Sequence, residues 1–306
     1  NPTLMRSRNG LANSVSSHIP VLLKEALAAL DPKPGESFID ATYGGGGHSR
    51  AILEKITPPT GGKKGKLLAL DWNETAAIRC RTDYCVVENF ANLPEVMRKF
   101  NIKPVDGLLL DLGVSTDELE HSRRGFSFQR DESLLMTYND QKLPVRDLLK
   151  QLNEKELADT IWRYGEERNS RKIAKAIKLR LRKSAIRTTK ELVETIELVL
   201  PRKGKLHPAT KTFMALRIYA NDELTNLEEV LKNLDKIMAP AGRTAVISFH
   251  SLEDRLVKNY FKRWAAAGQA ELINKKPITA GAEEILKNPR SRSAKLRTIR
   301  FLNPKP

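Results

Sequence analysis

Phe38-Ile39-Asp40-Ala41-Thr42-Tyr43-Gly44-Gly45-Gly46-Gly47-His48-Ser49 is the stretch that decides the fold class. A short apolar segment ends in an acid. Four glycines follow, and Ala51-Ile52-Leu53 then opens a helical pattern. Strand, tight glycine turn and helix form the start of a nucleotide-type α/β fold. The glycines let the backbone take positive φ and approach a ligand closely. The spacing is not the G-x-G-x-x-G of a dinucleotide site, and no G-K-[ST] follows as a P-loop requires. A second landmark separates a cofactor turn from a plain surface turn. Lys66-Leu67-Leu68-Ala69-Leu70-Asp71 is another apolar run ending in an acid, and an acid there can hold a ribose diol. Nicotinamide and S-adenosylmethionine sites share that logic, so these two segments leave the cofactor open.

Around this centre the chain alternates strands and helices. Val21 to Leu30 has helical spacing and lies just before the first strand. Thr57 to Gly65 is a surface loop, Glu74 to Arg81 a helix, and Tyr84-Cys85-Val86-Val87 a third strand near Phe90. Val105-Asp106-Gly107-Leu108-Leu109-Leu110-Asp111 is a continuous apolar strand, as expected when both sheet faces are buried. It ends in Asp111, turns at Gly113 and reaches Ser115. In parallel sheets the C-terminal strand ends carry the site, so Asp111 and Ser115 are expected to face the crevice of Gly46 and Asp71. A helix cap is the plainer role for Asp111.

The pattern then changes. Ser122-Arg123-Arg124-Gly125-Phe126-Ser127-Phe128 mixes cations and aromatics, as phosphate contact and base stacking require. The same two phenylalanines could simply pin a loop to the core. Val145–Gln151, Glu154–Tyr164, Asn169–Arg182 and Thr189–Leu200 read as helices. The third has Ile173, Ala176, Ile177 and Leu181 on one side, with Arg171, Lys172, Lys175, Lys178, Arg180 and Arg182 elsewhere and no acid. It reads as an RNA-facing surface. His207 opens a long helix, interrupted at Asn221-Asp222-Glu223 and resuming to Ile237. Pro240 to Arg243 is a turn, Thr244 to Phe249 a core strand ending at His250-Ser251, and Leu252 onward a helix. Residues 267–288 are irregular, and Leu296 to Leu302 form a terminal edge strand. The strand–helix signal stops near Ser115 and resumes near Thr244, which implies a helical domain inserted into an α/β sheet.

Composition sets the partners. The 306 residues carry 53 Lys and Arg against 37 Asp and Glu, a net charge of +16. Such a balance favours a polyanion, nucleic acid before membrane. No run approaches the roughly 20 apolar residues of a membrane span. Cys80 and Cys85 are too few for a disulfide scaffold and lack zinc spacing, so no metal and a reducing setting are expected. Residues 1–17 form an acid-free leader with Arg6 and Arg8, compatible with the end of an organellar transit segment and equally with a floppy terminus.

Taken together, the segments resemble the MraW family, enzymes that methylate N4 of a cytidine in small-subunit ribosomal RNA, and their mitochondrial relatives. The resemblance rests on His18-Ile19-Pro20-Val21, Gly45-Gly46-Gly47-His48-Ser49, Asp106 to Ser115 and Arg124-Gly125-Phe126-Ser127-Phe128. It continues through Tyr164-Gly165-Glu166-Glu167, His207-Pro208-Ala209-Thr210, Ile247-Ser248-Phe249-His250-Ser251-Leu252-Glu253-Asp254-Arg255 and Asn288-Pro289-Arg290. It implies a Rossmann-like class I methyltransferase sheet over 18–116 and 209–306 with an inserted helical RNA-recognition domain over 117–208. It implies S-adenosylmethionine as cofactor, held by Gly46, Gly47, His48, Asp71, Phe90, Asp111 and Glu118. Glu118 stands where the family usually has Gln. Leu134-Leu135-Met136-Thr137-Tyr138-Asn139 stands where relatives read Leu-Asp-Met-Arg-Met-Asp, with Asp140 one residue beyond.

The expected reaction is methyl transfer to N4 of a cytidine. Asp111 sits near the amine, with Ser115 as helper and His250 placing the base or moving a proton. Arg123, Arg124, Lys172, Lys175 and Arg292 are candidates for flanking phosphates. Two other classes stay open: an inactive small-subunit assembly factor that binds rRNA, motivated by Leu135, Thr137, Tyr138 and Asn139, and a nicotinamide oxidoreductase. Small-subunit rRNA or the immature small ribosomal subunit is the expected partner, with no membrane; assembly factors and a homodimer remain open. The motif drift and leader tilt the compartment toward the mitochondrial matrix, with the bacterial cytoplasm as the alternative.

Overall fold

The computed structural model describes Leu4–Met5 and residues 19–302, apart from 74–75, 77–79, 81, 121, 203 and 205. The helix expected over 74–81, Arg6, Arg8 and His18 therefore lie wholly or mostly outside the described residues. The chain divides into two compact units, 1–113 with 224–306, and 114–223.

The first unit is built on an eight-stranded sheet: β1 (Leu4–Met5), β2 (Ser37–Asp40), β3 (Lys66–Asp71), β4 (Tyr84–Val87), β5 (Val105–Asp111), β6 (Met238–Ser248), β7 (Ala270–Leu272) and β8 (Lys295–Phe301). The spatial order is β1-β4-β3-β2-β5-β6-β8-β7. From β4 to β6 the pairings are parallel. β8 runs antiparallel between β6 and β7. β2 is the switch point: the chain leaves it toward β3 and β4, then returns to its other side as β5. Ligands of open α/β sheets bind at the C-terminal strand ends beside such a switch.

The apolar runs follow from burial on both faces. On one face Phe38, Leu67, Leu109, Ala245 and Ile247 pack against helices α1 (Leu23–Leu30) and α2 (Gly47–Ile56). On the other, Ile39, Leu68, Leu70, Leu108, Leu110 and Val246 meet Leu93 and Val96 of α3 (Leu93–Lys99). Period-two alternation thus assigns neighbouring residues to opposite cores. Gly107 interrupts β5 because Phe38 crosses it: a Cβ there would lie 1.9 Å from the Phe38 ring.

The second unit contains α4 (Thr116–Glu120), α5 (Val145–Gln151), α6 (Glu154–Gly165), α7 (Ser170–Lys183), α8 (Thr189–Glu197) and α9 (Thr210–Asn221). Capping boxes start α6 at Asn153 with Glu156, and α8 at Thr188 with Glu191. Its core joins Leu149, Leu157, Ile161, Ile173, Ile177, Leu192 and Ile196 with Phe213, Leu216 and Ala220 of α9. α9 therefore belongs to the helical unit, and the boundary falls at Glu223, not near 208. Asp222 ends α9 in the left-handed region, at φ 53°.

The chain continues through α10 (Glu223–Lys232), α11 (Leu234–Ile237), α12 (Ser251–Ala266) and α13 (Ala282–Lys287). Several details differ from the sequence expectation. Pro240 to Arg243 is a bulge inside β6, where the register against β5 jumps and Ala241 takes φ 65°. β8 is an interior strand because β7, within the supposedly irregular 267–288, covers its outer edge. Leu4–Met5, expected to be loose leader, pairs antiparallel with Cys85 and Val86. Cys80 and Cys85, expected as thiols, form a disulfide; the turn into β4 brings residues five apart together.

Candidate active site

Three neighbouring strands end in acids, and the glycine turn organises them. Gly46 caps α2 with φ 72°, a conformation that favours glycine. A Cβ there would lie 2.4 Å from the Tyr43 hydroxyl, and one on Gly47 would lie 2.5 Å from Pro20. The turn is thus a bare backbone cradle at the start of a helix, the arrangement that admits a close ligand. Asp71, at the end of β3, fixes it. Its Oδ2 accepts the Gly44 N–H at 2.7 Å and its Oδ1 the Asn73 N–H at 2.7 Å. The Trp72 N–H also bonds to this carboxylate. Burial raises the Asp71 pKa to about 6, against the lowering effect of those backbone bonds. Trp72 and Phe90 stand beside it, ring centroids 6.3 Å apart.

Asp40, at the end of β2, is buried. It accepts the Ser49 hydroxyl at 2.6 Å and the Thr42 N–H at 3.2 Å. Burial raises its pKa to about 6 despite those bonds, and Asp71 adds to the rise. The sequence assigns Asp40 no role. The only signal available was its place at the tip of an apolar run.

Asp111, at the end of β5, differs from both. Its backbone N–H donates to Thr42 Oγ1 at 2.6 Å. Its carboxylate Oδ1 is buried, and among the described residues it accepts no hydrogen bond. Its Oδ2 lies 3.6 Å from His48 Nδ1. Burial, then Asp40 and Glu253, hold its pKa well above the ordinary carboxylate value. A buried acceptor without a donor among the described residues, at the C-terminal end of a parallel strand beside the switch point, is a group waiting for one. The structure thus gathers Gly46, Gly47, His48, Asp71 and Asp111 in the first unit, with Phe90 next to Trp72.

Other expected site residues contact neighbours in their own segments, although the buried His250 Nε2 makes no hydrogen bond among the described residues. His250 caps α12: its Nδ1 accepts the Glu253 N–H at 3.4 Å, and its Nε2 lies 3.1 Å from Glu253 Oε1. Glu253 also accepts the Phe249 N–H at 2.8 Å. It is a buried acid, although in sequence it looks like an ordinary helix-start residue. In the helical unit, Ser115 and Glu118 hold each other. The Ser115 N–H donates to Glu118 Oε2 at 2.8 Å, and the Glu118 N–H to Ser115 Oγ at 3.2 Å.

The basic-aromatic segment resolves toward its structural reading. Arg124 donates to Thr137 O at 2.6 Å, Thr137 Oγ1 at 2.8 Å, Asn139 O at 3.3 Å and Asp140 Oδ1 at 2.8 Å. Phe126 stacks on Tyr138 at 5.1 Å, and Phe128 packs on Phe213 at 5.1 Å. Their rings pin the loop, because aromatic area is worth more inside a core than in water. Tyr138 donates its N–H to Asn221 Oδ1 at 3.0 Å and its hydroxyl to Glu223 Oε1 at 3.3 Å. The residues that depart from the family pattern thus make a locally satisfied loop. Lys178 reaches Leu149 O at 2.7 Å and so caps α5. Arg123, Arg171, Lys172, Lys175, Arg182 and Arg292 remain exposed.

The sheet order, with one antiparallel strand inserted beside the last parallel one, and the glycine cradle flanked by acid-tipped strands define a class I methyltransferase domain carrying a helical insertion. Known proteins agree. A ribosomal RNA small subunit methyltransferase H of Wolbachia sp. subsp. Drosophila simulans is 42% identical, over 94% of this chain and all of its own length. The protein of the same name from Dehalococcoides mccartyi is 41% identical, over 94% of this chain and 87% of its own. The model of the MraW methylase family matches residues 15–302, and the chain belongs to that family. Its cofactor is S-adenosylmethionine, and the nicotinamide reading falls. The turn at Gly46 and Gly47, where a Cβ would collide with Tyr43 and Pro20, leaves bare backbone at the start of α2 and fits that cofactor, with Asp71 bonded to Gly44 of the same turn.

Proposed function

We propose that this chain transfers a methyl group from S-adenosylmethionine to N4 of a cytidine in small-subunit ribosomal RNA. The observation that carries the reading is Asp111 Oδ1, a buried acceptor at the end of β5 that has no donor among the described residues. S-adenosylmethionine supplies a methyl group on a positively charged sulfur. The lone pair of a cytosine amine is conjugated with the ring, so the amine is a weak nucleophile. An acceptor placed on one N–H draws density onto the nitrogen and fixes its direction of attack. Asp111 Oδ1 has the chemistry for that task, and its raised pKa brings it nearer to a useful general base. Gly46, Gly47, Asp71 and Phe90 hold the cofactor. Ser115 and Glu118 keep the start of α4 in place. A target base leaves its stack to reach a closed site.

The rRNA reading is supported by the names of the relatives, by the net charge of +16 and by the acid-free exposed face of α7. Arg171, Lys172, Lys175 and Arg182 on that face, with Arg123 and Arg292, are the proposed phosphate contacts. These relatives are bacterial, which favours a bacterial cytoplasmic setting over the mitochondrial matrix. Among the described residues no helix is long and apolar enough to cross a membrane.

The test is methyl transfer from labelled S-adenosylmethionine to immature small subunits lacking the modification, with the product base identified by mass spectrometry. N4-methylcytidine made by the wild type and lost in Asp111→Ala supports the reading. Tight particle binding without product, beside an active relative as control, replaces it with the assembly-factor reading.

A further inference from the structure

His48 enters the family pattern as part of the glycine turn, yet its ring is placed for a second task. It lies on α2, is 7% exposed, and its Nε2 is 3.0 Å from the Val21 carbonyl oxygen. A carbonyl only accepts, so Nε2 carries the ring proton. In the neutral ring Nδ1 is then an acceptor. That nitrogen faces Asp111 Oδ2 at 3.6 Å. The other oxygen of the same carboxylate is the buried one without a donor. Asp111 therefore stands between an open acceptor position and a second base.

We propose that His48 and Asp111 form one proton-holding pair: Asp111 Oδ1 takes the proton leaving the substrate amine, and the carboxyl group then holds that proton at Oδ2, where the lone pair of His48 Nδ1 shares it. The proposal rests on the reading of Asp111 as the amine's acceptor. Methyl transfer forms an N–C bond from the nitrogen lone pair and breaks the S–C bond with its electrons left on sulfur. One positive charge disappears from sulfur, and one proton must leave nitrogen. The pair goes from one negative charge to none as it takes that proton, so the site stays near neutral throughout. The 3.6 Å separation is longer than a hydrogen bond, and contacts of this kind tighten when a site fills.

The surroundings favour this role. Asp40 from β2 and Glu253 from α12 face Asp111, Asp71 from β3 faces Asp40, and His250 stands beside Glu253. On the α1 side the Val21 carbonyl presents another negative end. These acids draw a proton to the pair until a cation displaces it. His48 acts through Asp111 and is a positioning residue with a proton-sharing function.

The test measures protons exchanged on ligand binding, with the full-length protein and no RNA. Calorimetry in buffers of different ionisation enthalpy compares S-adenosylmethionine, a cation at sulfur, with S-adenosylhomocysteine, neutral there. The wild type is expected to release up to one more proton on binding the cation, with a midpoint between pH 5 and 8. This window spans the ordinary histidine range. His48→Gln is expected to shift the midpoint to lower pH and to cut the excess release at pH 6.5 at least twofold. Asp111→Asn is expected to abolish it. Equal proton counts for the two ligands in the wild type overturn the proposal. So does His48→Gln with an unchanged proton count and equally weakened affinity for both ligands, since that is a purely structural histidine. If His48→Gln does not fold, NMR titration of the His48 ring in the wild type decides instead. The pair requires different midpoints with the two ligands bound, and identical midpoints overturn it. Because no RNA is present, a different methyl acceptor would overturn the cytidine reading and leave these results standing.

Discussion

Asp71 Oδ2 accepts the Gly44 N–H at 2.7 Å, and this contact ties the end of β3 to the glycine turn after β2. The acid that a ribose would meet is also the clamp on the loop that the rest of the cofactor would meet. Asp71→Ala leaves the Gly44, Trp72 and Asn73 backbone N–H groups without this acceptor, each worth about 1–3 kcal/mol where buried. Affinity for S-adenosylmethionine is expected to fall at least tenfold and the melting temperature to drop, both readable by calorimetry. Asp71→Asn keeps one acceptor oxygen and falls between.

Gly46→Ala places a Cβ 2.4 Å from the Tyr43 hydroxyl at a positive φ. The backbone alone costs about 1–2 kcal/mol, and Tyr43 must also move. Gly61→Ala has φ 53° and open space, so it carries the backbone cost without the clash. Urea unfolding should rank Gly46→Ala below Gly61→Ala, and only Gly46→Ala should weaken cofactor binding. Equal losses would mean that the cradle's shape is unimportant.

Burial pushes the Asp40 pKa up to about 6, from the ordinary value of about 3.9. A folded acid with a raised pKa binds protons more readily than the unfolded chain, so its contribution to stability falls as pH rises from about 4 to about 6 and stays reduced above that. A shift of two units corresponds to roughly 3 kcal/mol. Asp40→Asn removes the charge and should flatten this part of the stability curve. The variant is expected to gain on the wild type at pH 7.5 relative to pH 4.5 in denaturant unfolding. A parallel pair of pH profiles would show that Asp40 is not desolvated in solution.

Lys172→Glu with Lys175→Glu reverses charge on the exposed face of α7. Affinity for a small-subunit rRNA fragment is expected to fall about tenfold or more at physiological salt, and the slope of log K against log salt to shrink by about 1–2. Cofactor affinity should not change. Lys178→Ala is the contrast: its ammonium caps α5 at Leu149 O, so stability should fall with a smaller effect on the salt slope. The same RNA affinity in the double variant and the wild type would remove α7 from the interface.

Arg124 binds two backbone carbonyls, Thr137 and Asp140 inside its own unit. Arg124→Ala is expected to destabilise that unit by about 2–3 kcal/mol, as loss of charged hydrogen bonds does. Its melting temperature should fall under all salt conditions. A change in the RNA salt slope with unaltered stability would return Arg124 to phosphate binding.

Local patterns were enough for much of this protein. The glycine turn at Gly44–Gly47, the acid tips Asp71 and Asp111 and the buried strand Leu108–Leu110 announce themselves, because turns, periodicity and burial on two faces depend on neighbours in sequence. So do the family motifs. Other assignments needed the third dimension. Arg124 and Lys178 are residue types that bind nucleic acid, and each is held by groups that only folding brings near, whereas Ser115 and His250 are held by acids three residues on at a helix start. The limits of β6, the interior place of β8 and the allegiance of α9 were settled by which partner covered an edge or an apolar face. The meeting of His48 with Asp111 was decided only by the tertiary structure: the parallel register of β2 and β5 sets the end of one strand beside the helix that follows the other, and no pattern within either segment contains that distance.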